Sequence, residues 1–148
     1  MISDNLKLKG RLNVVVTSPD GEIKEEQEID NLVVTTGKNF VASRMAGTSA
    51  AVMSHMAIGT GTTSAAASDA ALGSEAARVS LTSTTVNNND VVYAATFSPG
   101  TPNSTTAVTE AALFNASSSG TMLCRTVFNV VNKQTTDTLS VSWTVSAS

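Results

Sequence analysis

The run "TLSVSWTVS" at 138–146 constrains the fold more than any other stretch of the chain. Leu139, Val141, Trp143 and Val145 alternate with Ser140, Ser142, Thr144 and Ser146. Successive side chains of a strand point to opposite faces, so this run has one dry face and one wet one. A helix would scatter the same residues around its axis. Trp143 shares the dry face and is expected in the core, not on a binding platform.

The same period-two pattern recurs along the second half. "ARVSLTSTTV" at 77–86 alternates as one run, and "NNND" at 87–90 reads as a turn. "VVYAATF" at 91–97 places Val91, Tyr93, Ala95 and Phe97 together. "SPGTPNSTT" at 98–106 is a loop, "AVTEAALFN" at 107–115 a strand, and "ASSSG" turns it back. "TMLCRTVFNVV" at 121–131 aligns Met122, Cys124, Thr126, Phe128 and Val130. Short alternating runs separated by turn clusters predict a mainly β chain, an antiparallel β-sandwich of jelly-roll-like type.

One helix is predicted near residues 36–46, within "NLVVTTGKNFVASRMAG". Thr36 can cap its start, Phe40, Val41, Ala42 and Met45 supply an apolar stripe, and Gly47 fits the stop. Residues 1–30 read differently. "KLKGRLNVVVT" at 7–17 is a strand, "SPDG" at 18–21 a turn, and "EIKEEQEI" at 22–29 a second strand with four glutamates. Neither face of that second strand is apolar enough for a core. The division expected is an N-terminal hairpin or arm over 1–30 and a sandwich domain over 31–148 that folds without it.

The length of 148 residues fits one domain with a small appendage. Charged residues are 14%, well below the usual quarter, so the surface is built from Ser, Thr, Asn and Ala. Such a surface suits a subunit of a large assembly, and secreted β domains share it. A net charge of −3 exerts no general pull on nucleic acid. Lys7, Lys9 and Arg11 form the one basic cluster, without an aromatic platform beside it. No stretch has the apolar length of a membrane span, and "MISDNLKLKGR" lacks the apolar core of a signal peptide.

The reactive residues are few and scattered along the chain. "MAIGTGTTS" at 56–64 has the outline of a phosphate-binding turn, but position 64 is Ser where a dinucleotide fingerprint has Gly. No Lys lies between Lys38 and Lys133, which excludes a P-loop there. Gly59 and Gly61 are expected where a strand leaves the sheet for a surface loop that Asp69, Glu75 and Arg78 tie down. His55 is the sole histidine and reads as a packed or hydrogen-bonded strand residue. Cys124 is the sole cysteine, so no internal disulfide forms, and its place in an alternating run marks it as a small core residue. The carboxylates Asp69, Glu75, Glu110 and Asp137 stand on separate elements. Glu110 is expected in a structural ion pair with Arg78 or Arg125. A zinc site of ordinary type needs several Cys or His ligands, and the chain cannot supply them. The expectation is no catalytic, cofactor-binding or metal-binding residue, no cofactor, and no enzymatic activity.

Two strings resemble tailed-bacteriophage structural proteins. The first is "MSHMAIGTGTTSAAASDAALGSEAARVSLTST", in which a "GTGTT" turn precedes small residues, an Asp, "AL", a Glu and an Arg. The second is "VTEAALFNASSSGTMLCRTVFNVVNKQTTDTLSVSWTVS", similar to the end of the same proteins, with Ala112 where the pattern often has Gly. The resemblance spans roughly residues 31–146. It implies a β-sandwich virion structural protein commonly assembled as a homo-oligomer, here expected as a homotrimer, while charge and hydropathy give the expectation of no nucleic-acid or membrane partner. The first expectation is a capsid decoration (cement) protein, assembled in the host cytoplasm, that binds the major capsid protein on the head exterior. The alternative is a tail-fibre or baseplate subunit whose partners are tail proteins. A small carbohydrate-active enzyme or lectin is the third possibility; aromatics of 4% argue against a sugar platform.

Overall fold

The computed structural model of the chain describes residues 6–148. Its first elements are β1 (Leu8–Thr17), β2 (Ile23–Val33) and helix α1 (Thr35–Met45). Strands β3 (His55–Gly59), β4 (Glu75–Ser80), β5 (Ser83–Asn87) and β6 (Asp90–Phe97) follow. Strands β7 (Thr106–Phe114), β8 (Met122–Lys133) and β9 (Thr138–Ala147) complete the chain. The nine strands form one antiparallel sheet in the order β4-β3-β7-β8-β2-β1-β9-β6-β5. The pairings β1–β9, β2–β8 and β3–β7 nest one inside the next, as in a jelly-roll-like chain folded back on itself.

The sheet bends at β2. Only Leu32 and Val33 pair with β8, opposite Arg125 and Cys124. The rest of β2 ladders with β1 alone, and side chains bridge its other edge: Gln27 Nε2 donates to Asn129 O, and Glu25 accepts the Asn132 N–H. Because of the bend, the two halves of the sheet lie face to face in a sandwich. Leu12, Val14 and Val16 of β1, Leu139, Val141 and Trp143 of β9 and Phe97 of β6 belong to one buried cluster with Met56 and Ile58 of β3 and Leu113 of β7. Trp143 is fully buried, as its alternating run predicts.

The separate arm expected over residues 1–30 is not what the described residues form. β1 lies between β2 and β9 and pairs with β9 from Leu8 to Thr17. The weakly apolar β2 masked this, because β1 fills the core and β2 is its solvated neighbour. "ARVSLTSTTV" is likewise two strands, not one. Leu81 N donates to Ser54 O in one half and Thr82 N to Ala94 O in the other, so the chain crosses between halves at that point. In β8 the register shifts between its pairings with Val108 and Glu110. Val131 is therefore buried while Val130 is half exposed, against the alternation expected through Val130.

Helix α1 packs against β8 at one end of the sandwich. A Cβ on Gly37 would fall 2.0 Å from Leu123 O, so only glycine permits this approach. Phe40 and Val41 pack on the core, while Met45 is 78% exposed. Thr36 is not the cap. The cap position is Val34, and the Thr36 hydroxyl instead donates to Met122 O at 2.9 Å. Gly47 ends the helix as expected, with a φ of +72° and its N–H on Arg44 O.

Candidate functional site

β7 is buried on both faces, from Val108 to Phe114. One face meets the main core. Over the other lies the segment 60–74, which includes the "GTGTT" turn. Small residues make room for it: Ala57 and Ala112 pair on that face, and Phe114, Met122 and Val34 join them in a second apolar cluster capped by Leu72.

Glu110 fixes this segment to the sheet. It is fully buried and accepts backbone N–H bonds from Gly61 (3.0 Å), Gly73 (2.9 Å) and Ser74 (2.8 Å). Arg125 Nη2 completes the shell at 2.8 Å and also donates to Thr63 O at 2.9 Å. Arg125 Nη1 reaches Asp69 at 2.8 Å, and the Thr109 hydroxyl donates to Gly61 O. Burial pushes the Glu110 pKa up, but the Ser74 N–H, Arg125 and the Gly73 and Gly61 N–H groups outweigh it and hold the carboxyl below its ordinary 4.5. The same neighbours act on Arg125: burial opposes its charge, and Glu110 and Asp69 restore it.

The glycines are there for proximity rather than for unusual backbone angles. A Cβ on Gly59 would lie 2.3 Å from Ser74 O, and one on Gly61 would lie 2.6 Å from Glu110 Oε1. The carboxylate thus sits where a side chain would otherwise be. Glu110 has chosen Arg125 of the two arginines expected. Arg78 instead pairs with Glu75 at 2.7 Å, stacks over Phe114 at 3.7 Å, and donates to Ala116 O and Ser119 O. Glu75 and Arg78 therefore pin the turn between β7 and β8, whereas Asp69 holds the 60–74 segment.

The remaining candidates lie apart. His55 Nδ1 is 2.8 Å from the Ser54 hydroxyl and Nε2 is 3.4 Å from that of Ser80, so serines occupy both ring nitrogens. Cys124 is fully buried, and burial drives its thiol pKa well above the ordinary value, opposed by Asn31. Asp137 is buried too and accepts from Lys24 Nζ and the Gln134 N–H, each at 2.9 Å. Lys133, buried nearby, donates to Ser98 O, and burial lowers its pKa against the pull of Asp137. This three-charge group was not legible beforehand, since Lys24 lies far in sequence from Lys133 and Asp137 and only the fold brings it to them. Among the described residues, no three His, Cys, Asp or Glu side chains converge as a metal site requires, and no helix is long and apolar enough to cross a membrane.

The basic cluster divides. Arg11 pairs with Glu28 at 3.0 Å. Lys7 and Lys9 instead line, together with Lys38 of α1, a groove of about 550 Å³. Leu6, Leu8, Val41 and Met45 give that groove its apolar lining. Sequence reading had Lys7 and Lys9 but not Lys38, which only the packing of α1 brings to them. Comparison with protein-family models, with curated proteins and with solved structures finds no match to this chain.

Proposed function

We propose that this chain is a structural protein of a tailed-bacteriophage virion, a capsid decoration protein that binds the outside of the head and braces the major capsid lattice. One observation carries the reading. The two strings that resemble phage structural proteins are separate in sequence, and besides the β3–β7 ladder and the Arg78 contacts a buried latch joins them. Gly61 and Asp69 come from the first, and Glu110 and Arg125 from the second. The residues that carry the resemblance thus hold a loop on a sheet. The buried carboxylate among them has its acceptor sites filled by three N–H groups and a guanidinium, as a structural signature demands and a general base does not.

The surface supports the same role. The wet face of β9 presents Ser140, Ser142, Thr144 and Ser146, short side chains that lose little entropy at a contact. The mechanism is mass action: a subunit that binds only the assembled lattice stabilises it. The test is cryo-EM of purified virions, together with co-sedimentation of the purified chain with heads stripped of it. Density for the sandwich on the head exterior is the expected result. Density confined to the tail would select the tail-fibre or baseplate alternative and overturn the decoration role.

A further inference from the structure

The chain has nine lysines and arginines, and most are engaged. Arg11, Lys24, Arg78 and Arg125 sit in ion pairs, Arg44 donates to Thr48 O and Ala50 O, and Lys133 is buried on Ser98 O. Lys7, Lys9 and Lys38 are the three whose side chains have neither an ion-pair nor a hydrogen-bond partner among the described residues, and all three line the same groove between β1 and α1. The apolar lining of the groove includes Leu6, 68% exposed, and Met45, 78% exposed. A basic rim around an apolar floor fits a segment that is apolar at its centre and acidic at its flanks.

The chain itself presents such a segment. Pro19 to Lys24, at the turn between β1 and β2, are exposed without a break. Ile23 is 62% exposed and is flanked by Glu22 and, three residues on, Glu26. Neither glutamate forms an ion pair among the described residues. The turn is braced internally: Gly21 N donates to Ser18 O, Ser18 N to Glu22 O, and Asp20 accepts from the Ser18 hydroxyl and the Glu22 N–H. It therefore docks with little ordering cost.

We propose that the groove between β1 and α1 receives the β1–β2 turn of a second copy of this chain, with Ile23 on the apolar floor and Glu22 and Glu26 against Lys7, Lys9 and Lys38. The turn cannot reach its own groove. The two lie at opposite ends of β1, whose ten residues span about 30 Å at the rise of an extended strand. Pairing between copies is then reciprocal in an antiparallel dimer or heterologous around a ring, and both close without leaving an unpaired turn. This contact would give the self-association that the phage resemblance implies its surface, yet it depends on neither virion nor head.

The experiment is sedimentation velocity of the full chain without particles, from micromolar to near-millimolar concentration. Wild type should assemble as concentration rises. Lys9→Glu with Lys38→Glu should weaken assembly about tenfold or more, and so should Glu22→Lys with Glu26→Lys, since each sets like charges face to face. All four substitutions in one chain should restore it. Ile23→Asp should abolish it, and the melting temperature of every variant should stay near wild type because the sites are exposed. A wild type that stays monomeric throughout overturns the proposal, as do charge variants that assemble normally, or a fourfold variant that does not recover. Self-association with no head binding would leave this contact standing and remove the decoration role instead.

Discussion

The Glu110 carboxylate and the Arg125 guanidinium meet at 2.8 Å with neither side chain open to solvent. Removing one partner of a buried pair strands the other charge. Arg125→Met should therefore destabilise the fold by about 3–5 kcal/mol in chemical denaturation. It should also expose the 60–74 segment to limited proteolysis before the rest unfolds. Unchanged stability and unchanged cleavage would show that the latch does not hold the segment.

Acid should act through the same carboxyl. The folded pKa of Glu110 lies below its ordinary 4.5, so folding disfavours its protonation. The stability it contributes is complete above pH 4.5 and is lost as pH falls through the folded value. Asp137, lowered chiefly by the Lys24 hydrogen bond, adds a loss of the same sign. Glu110→Gln should be less stable at neutral pH but show a flatter decline below pH 4.5. Melting curves across that range check the slope; parallel declines in variant and wild type would refute the assignment.

Gly61→Ala tests proximity directly. The added methyl would fall 2.6 Å from Glu110 Oε1, so the turn or the carboxylate must move. A loss of about 1–3 kcal/mol is expected, the range for overpacking a filled site. Gly21→Ala, whose Cβ meets no atom within 4 Å but whose φ is +87°, should cost less, and thermal melts of the two rank them.

Deleting residues 1–30 should abolish folding of the remainder. It removes Leu12, Val14 and Val16 from the core and exposes the whole edge of β9. Circular dichroism of the truncated chain should show no cooperative transition. A cooperative melt would restore the independent sandwich expected over 31–148.

Cys124 should resist a thiol reagent in the folded protein and react fully after denaturation. The thiol is sealed in the core and burial keeps it protonated, while the thiolate is the reactive form. Rapid labelling under native conditions would contradict its placement.

The strands with one dry and one wet face were legible from sequence alone: β9 and β1 carry their burial in their alternation, as β6 does only at its end from Ala95 to Phe97, and Trp143 sits where that pattern puts it. The helix was legible too, through the apolar Phe40 and Val41 and the stop at Gly47, although its capping and the exposure of Met45 were not. Period two is a local property, so it survives without knowledge of the neighbours. What the sequence could not determine is which strands become neighbours, because pairing depends on surfaces that exist only once the chain has folded. The acidic β2 looked peripheral until β1 took it into the sheet, and "ARVSLTSTTV" looked continuous until the crossing at Leu81 split it. The latch belongs to the same class. Arg125 was one of two arginines expected for Glu110, but the three N–H groups that complete the carboxylate's shell come from a segment with no periodicity to read. Only its close passage over Gly59, Ala57 and Ala112 brings them within reach.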